Sequence, residues 1–323
     1  MRLMIENISD PANREAWLEA RKGVITATLA YDAANIDDGS EPINAWLDLR
    51  GERAPFEGNE KTEIGTLLQD DVAELFCRRY VEDNPGATVE LRDFDVFGLH
   101  DKHDFIGSSF DYEVIINGER NLLETKTTHA RFLPDWDEGR IPNRARAQSM
   151  HELAVDGEAR RVYTAALIFE PTVRYAYTDR NEALITELLS RELALYEMVQ
   201  KGTPPDPKTP TSEHLQALFG ETDGSEIIID PSYEKLLEQY RVYNDAEKAA
   251  KGEKDKIKLQ ILKACGKARY ATCGGYKVTV VRKDYTNFDV KKWQSEEPAL
   301  FEMKKAAYGK RVTTVYPLIK EIG

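Results

Sequence analysis

The sequence predicts an α+β fold: a central mixed β-sheet flanked by helices, with a helical and β-hairpin appendage after it. Three observations carry this. Apolar residues recur at helix spacing up to about residue 82, and from about Ala87 the period drops to two. The third is a proline-rich stretch, "KGTPPDPKTPTSEH" at 201–214, which ends the last strongly amphipathic helix of the body and divides that body from the C-terminal third.

The elements can be justified in order. "DPANREAWLEARKG" reads as a short helix with Asp10 as N-cap, Pro11 at its first position and Gly23 closing it. "VITATLAYDAAN" predicts a second helix, which Thr26 or Thr28 could cap. Residues 42–53 and 61–82 continue the helical pattern, with Leu68, Val72, Leu75 and Phe76 at helix spacing. "TVELRDFDVFG", "HDFIGSSFDYEVII" and "RNLLETKTT" are three consecutive antiparallel strands, with "NGE" at 117–119 as a tight hairpin turn. A helix over Asn143–Val155, two strands, "RRVYTAALIFE" and "VRYAYT", and an amphipathic helix over Asn181–Lys201 complete the body. The expected organisation is a domain at 1–202, a Pro-rich linker region at 203–230 and a basic appendage at 231–323. The appendage reads as a charged helix or helical hairpin, then a β-hairpin and a short helix.

With 41% hydrophobic and 31% charged residues over 323 positions, the chain has the composition of a soluble globular protein with a substantial core. It has no apolar run approaching the roughly 20 residues needed to span a bilayer, and its N-terminus lacks a charged-then-apolar leader pattern. Cys77, Cys265 and Cys273 are odd in number and widely spaced, so free thiols in a reducing, cytoplasmic setting are expected, and a four-cysteine iron–sulfur cluster is excluded. The net charge of −13 is unevenly spread: residues 231–323 carry 20 basic and 12 acidic side chains, or +8, and residues 1–230 carry −21. A basic tail behind an acidic body suits a polyanionic partner, but an ordinary Lys-rich helix surface would look the same.

The chemistry concentrates in "GSSFDYEVIINGERNLLETKTT", residues 107–128. Side chains alternate along a strand, so Glu124 and Lys126 share a face with Thr125 opposite. Such a pair is commonly a solvated cross-strand ion pair of little energetic weight. Leu122 and Leu123 make this strand largely buried, however, and a buried charge needs a reason. Asp111 on the neighbouring strand can bring a second carboxylate to the separation at which two acids share a divalent cation. A lysine two residues on suits orientation of an attacking water for phosphodiester hydrolysis.

These residues carry a resemblance. Phe110-Asp111 followed by Glu124-Thr125-Lys126 is similar to the PD-(D/E)XK nuclease signature, with Phe110 in place of the usual proline. "WLEARKGVITAT" resembles the W-x-x-x-R-x-G-x-I-T-A-S opening of the lambda-exonuclease-like, or YqaJ-like viral recombinase, family of phage recombination exonucleases. "GTLLQDDVAELF" resembles that family's G-x-x-x-E-x-x-A-x-x-x-[FY] helix, and Gln148 in "RARAQSMHELAV" stands at its helical glutamine. Order and spacing agree over residues 13–170, about half the chain.

The resemblance implies a PD-(D/E)XK core and a metal-dependent 5′→3′ exonuclease on linear double-stranded DNA, leaving 3′ overhangs for recombination by strand annealing. It implies that Asp111, Glu124 and the Thr125 backbone carbonyl hold Mg²⁺ (or Mn²⁺), that Lys126 positions the attacking water and that Gln148 supports the site. Arg21, Thr28 and Ser109 would receive the DNA 5′-phosphate, a charged fork and two hydroxyls for its oxygens. Arg21 could equally be a helix C-terminal cation and Thr28 an N-cap. Ring-shaped trimers and a single-strand annealing partner are also implied; a membrane is not.

One departure stands out. Where the family usually offers a glutamate, this chain has Gln69. Either Gln69 serves by hydrogen bonding, or Asp70 or Asp71 takes over, or a second metal is weakly held. Other functional readings on the same residues are a structure-specific or restriction-type endonuclease and a catalytically impaired DNA-binding recombination protein. Elsewhere, His100, His103 and His129 read as polar strand-edge residues rather than a metal cluster. Trp136 reads as a loop residue that braces DNA or covers the core, and Cys265 and Cys273 as buried or idle. The appendage suits DNA, a partner protein or self-association.

Overall fold

A computed structural model describes residues 1–53, 58–169, 172–221, 224, 226–282 and 290–308. The chain divides into two compact units, 1–218 and 219–323.

In the first unit, strand β1 (Arg2–Glu6) precedes a 3₁₀ turn in which the Ala12 N–H donates to the Asp10 side chain, and helix α1 (Arg14–Ala20) continues it. Gly23, at φ +69°, turns the chain into β2 (Ile25–Thr26). This is the first difference from the sequence reading: Ile25 and Thr26 are strand, paired in parallel with Ile106 and Gly107, and the helix starts only at α2 (Ala30–Ala33). Its N-cap is Leu29, so neither threonine caps it. Helices α3 (Pro42–Arg50), α4 (Glu60–Leu67) and α5 (Gln69–Asp83) come next. The helix expected as continuous over 61–82 breaks at Leu68 (φ −96°, ψ 0°), which makes Gln69 the first residue of α5.

Strands β3 (Val89–Leu99), β4 (Ile106–Ile116) and β5 (Glu119–Thr128) form the expected meander. Asn117 and Gly118, both at positive φ, make the β4–β5 turn, which suits the right-handed strand twist. Helix α6 (Asn143–Asp156), strands β6 (Arg161–Ile168) and β7 (Thr172–Asp179), and helix α7 (Glu182–Lys201) complete the layered body. The sheet order is β1-β3-β4-β5-β6-β7, with β2 beside β4; β5–β6 and β2–β4 are parallel and the other pairs antiparallel.

The two faces are covered differently. Val72, Ala73 and Phe76 of α5 pack on Tyr112, Val114, Leu123, Tyr163 and Ala165. On the other face, Met150, Leu153 and Ala154 of α6 and Ile185 and Leu188 of α7 pack on Ile106, Phe110, Leu122 and Val162. Helix α6 is thus buried between sheet and α7 along most of its length, which its sequence, rich in polar residues, does not announce.

Helix α8 (Ser212–Phe219) ends the first unit's chain. Much of the Pro-rich stretch expected as linker is fastened to that unit: Lys208 and Thr209 N–H groups donate to the Glu41 carboxylate, and His214 Nε2 lies 3.0 Å from Asn44 Oδ1. In the second unit, α9 (Glu234–Cys265) is one 32-residue helix rather than a helical hairpin. The hairpin of β8 (Tyr270–Cys273) and β9 (Tyr276–Thr279) comes after it as expected, then α10 (Val290–Glu296) and α11 (Pro298–Tyr308). Among the described residues, no helix is long and apolar enough to cross a membrane. Residues 309–323 of the expected appendage lie outside the described residues.

Gly107 is where β2, β3 and β4 crowd together: a Cβ there would stand 2.9 Å from the Gly98 carbonyl oxygen and 2.7 Å from a Leu99 methyl. Since the nearest polar atom is backbone, Gly107→Ala is expected to lower unfolding free energy by about 1–3 kcal/mol, read by urea denaturation.

Candidate active site

The β4–β5 ladder stops at Tyr112↔Leu123. Beyond it, β4 stays with β3 as far as Gly107↔Leu99, while β5 continues along β6 to Thr128↔Ile168. The sheet therefore opens into a fork, with Asp111 and Glu124 as the first residues beyond the last paired rung. The neighbouring backbone is irregular as well. The β3–β4 register shifts between Asp93 and Val96, and β4 changes sides: Phe110 packs under α6, whereas Tyr112 packs under α5. Bulges of this kind re-aim side chains, and this one is opposite Asp111.

On β5 the alternation holds. Lys126 Nζ donates to Glu124 Oε1 at 2.5 Å and to Gln148 Oε1 of α6 at 2.8 Å. Gln148 Nε2 in turn donates to Glu152 Oε1 at 2.9 Å. The lysine side chain keeps 31% of its surface exposed and Glu124 only 12%, so Lys126 is partly accessible while its partner is largely covered. Burial pulls the Lys126 pKa down, but Glu124, Glu152 and Asp111 more than offset it, and the net shift is upward. The lysine is held as a cation.

Asp111 is pushed up to about 7, first by burial and then by the negative charge of Glu124; Lys126 and the Gln69 side chain, which hydrogen-bonds the carboxylate, oppose the rise. Gln69 thus reaches the site from the first turn of α5, where the helix break puts it. Asp70 does not take over its place, because it accepts a hydrogen bond from the Tyr112 hydroxyl, and Asp71 is exposed. Among the described residues, no group of three or more His, Cys, Asp or Glu side chains gathers as a metal cluster. The fork does offer two hard-oxygen carboxylates whose repulsion raises an acid's pKa. That donor chemistry fits a divalent cation of the Mg²⁺ class.

The other predicted residues assemble next door. Ser109, two residues before Asp111 on β4, accepts a hydrogen bond from Trp17 Nε1 at 3.0 Å. The Arg21 guanidinium stacks over the same indole, 4.3 Å from its centroid. Arg21 makes no ion pair among the described residues, and burial lowers its pKa. It is the C-cap of α1, so the helix-end reading and a ligand-binding one coexist. Thr28 meets Thr26 Oγ1 at 3.0 Å rather than Arg21 or Ser109; it joins the cluster only through the β2–β4 pairing at Gly107.

Three other sets of residues have these surroundings. His129 Nδ1 accepts the Arg131 N–H as a turn cap, and His100 and His103 stack on one another at 5.0 Å. Trp136 is buried against Ile141, Ala145 and Ile168, so it covers the core. Cys265 is partly accessible and Cys273 exposed, rather than buried. Sequence reasoning missed Glu152 and the double role of Trp17. The first carried no local signal, because the polar sequence of α6 does not announce burial on both sides; the second lay inside the W-x-x-x-R match.

Residues 16–159 match the family model of the YqaJ-like viral recombinase domain. Over that stretch the chain is similar to the family. The protein YqaJ of Bacillus subtilis (strain 168), itself uncharacterised, is 26% identical over 306 residues, 93% of each chain, so its similarity extends through the appendage. Among solved structures, an alkaline exonuclease (LHK-Exo) from Laribacter hongkongensis is 17% identical with TM-score 0.44, and the same enzyme in complex with dAMP is 19% identical with TM-score 0.46. Each covers 58% of this chain and 94% of that one.

The raised Asp111 acid has a consequence for stability. A carboxyl whose folded pKa exceeds its unfolded one stabilises fully below the unfolded value and loses that contribution as pH rises through the folded value, here between about 4 and 7. In a chelator, Asp111→Asn is therefore expected to melt above wild type at pH 8, by about 2–4 °C for each kcal/mol relieved, with the gap closing toward pH 4. Thermal melts across pH check this.

Proposed function

We propose that the chain is a metal-dependent exonuclease that degrades the 5′-ended strand of linear duplex DNA and leaves a 3′ overhang for strand-annealing recombination. The observation that carries this reading is the fork cluster, in which Lys126 bridges Glu124 and Gln148 opposite Asp111. Asp111 and Glu124, with the Thr125 carbonyl, would hold Mg²⁺ or Mn²⁺. When bound, the cation would acidify the attacking water and neutralise charge growing on the phosphate. Lys126, fixed between two acceptors, orients that water and offsets the phosphate's negative charge, and Gln148 keeps the ammonium aimed. Gln69 adds a hydrogen bond to Asp111 without adding charge, which fits one strongly held cation.

The exonuclease form of the reading draws on Arg21. A part-buried guanidinium with no carboxylate partner among the described residues is matched to a phosphate. Ser109 accepts from Trp17, which leaves its own hydroxyl proton to donate to that phosphate. A 5′-phosphate gripped there would put the next phosphodiester along β4 toward Asp111. Thr28, tied to Thr26, would contribute from the rim. The trimeric ring and the annealing partner belong to the same reading by family resemblance.

The test is digestion of linear duplex DNA, 5′-phosphorylated or 5′-hydroxyl, with Mg²⁺. The phosphorylated strand should be lost, and Lys126→Ala should slow this about 10²–10⁴-fold. Cutting of closed circles would favour an endonuclease, and binding without hydrolysis a reused nuclease fold. Arg21→Ala should cost about 10–150-fold in kcat/KM on phosphorylated ends, from about 1.5–3 kcal/mol of charged hydrogen bonding. Hydroxyl ends should be nearly unaffected.

A further inference from the structure

Helix α6 buries polar side chains along its length, and most have an evident structural task. Ser149 bonds the Ala145 carbonyl and lies 3.2 Å from Thr164 Oγ1 on β6. His151 bridges Glu192 of α7 and the Gly107 carbonyl of β4. Asp156 accepts from Arg120 of β5 and from the Ala159 N–H. Glu152 differs. It is 2% exposed, yet its hydrogen bond among the described residues comes from Gln148, a neighbour on its own helix. That bond joins no two elements of the fold, while burying a carboxylate is costly. Packing alone does not explain it.

The chain of contacts does. A primary amide has an accepting end and a donating end, and only its oxygen can meet an ammonium. With Glu152 accepting from Nε2, the Gln148 oxygen is turned toward Lys126; with the amide reversed, donor would face donor. We infer that Glu152 is a positioning residue for hydrolysis, fixing the orientation of the Gln148 amide and, through it, the aim of the Lys126 ammonium. The inference rests on the nuclease reading above. Burial, and then the charge of Glu124, raise the Glu152 acid well above the usual range, but a carboxyl offers Gln148 an accepting oxygen in either protonation state, so orientation does not depend on its titration.

The experiment is a double-mutant cycle in the full chain, with single-turnover digestion of 5′-phosphorylated duplex under Mg²⁺: wild type, Glu152→Leu, Gln148→Leu and the double variant, with Glu152→Gln alongside. Glu152→Leu should lower the cleavage rate about 10–100-fold, the usual range for a residue that orients a site from behind. The DNA concentration for half-maximal rate should change less than about twofold. Glu152→Gln, which keeps an accepting oxygen, should recover most of the loss. The double variant should be no slower than Gln148→Leu alone, because the first residue acts through the second. Thermal melts identify a variant that fails to fold; if Glu152→Leu does, Glu152→Met takes its place in the cycle. Losses that add in the double variant, a loss confined to DNA affinity, or no loss would overturn the inference while leaving the nuclease reading intact. An inactive wild type would overturn both.

Discussion

The molecule is organised around two carboxylates held close against their own repulsion at the point where β4 and β5 part. Paired strands would satisfy their backbone groups by continuing the ladder, but this one ends at Tyr112↔Leu123, and the next two residues are Asp111 and Glu124. Burial, and then the charge of Glu124, push the Asp111 acid up to about 7. One lysine shared with Gln148 offsets part of that rise. A divalent cation would offset the rest, which is why stability, metal affinity and catalysis should be tied to the same group.

The surrounding fold keeps this arrangement from relaxing. On one side α5 packs Val72 and Phe76 beneath β4 and β5, and its first residue delivers Gln69. On the other, α6 is pinned to β4 and α7 through the fully buried His151–Glu192 pair, in which burial pulls the histidine pKa down and Glu192 more than offsets it. Because His151 is anchored to the Gly107 carbonyl, the helix that supplies Gln148 and Glu152 is referenced to the strand that supplies Ser109 and Asp111. Ligand-facing side chains on rigid, mutually bonded elements are the condition for preorganised chemistry.

Much of this is legible in the sequence because it obeys local rules. Period-two patterning locates β3, β4 and β5, Asn117-Gly118 marks their turn, and strand alternation puts Glu124 and Lys126 on one face, where they are in contact. The features that the sequence does not disclose depend on tertiary context. Ile25 and Thr26 lie in a helix-compatible stretch but pair with β4, since β4 offers a free edge there. The break at Leu68 carries no glycine or proline to announce it, yet it decides that Gln69, not Asp70, faces Asp111. The Pro-rich stretch looks like linker, yet Glu41 and Asn44 bind it down. Glu152 looks like an ordinary helix residue because nothing local signals that both sides of α6 are covered.

The central claim is that the fork holds a divalent cation between Asp111 and Glu124, and direct binding tests it without any assay of cleavage. Mn²⁺ titrated into the full chain at pH 8 and followed by electron paramagnetic resonance should show a bound population that Asp111→Asn/Glu124→Gln abolishes, with affinity falling as pH drops through about 7. Undiminished binding in the folded double variant would contradict the account, placing the metal elsewhere and leaving the fork as a buried ion pair.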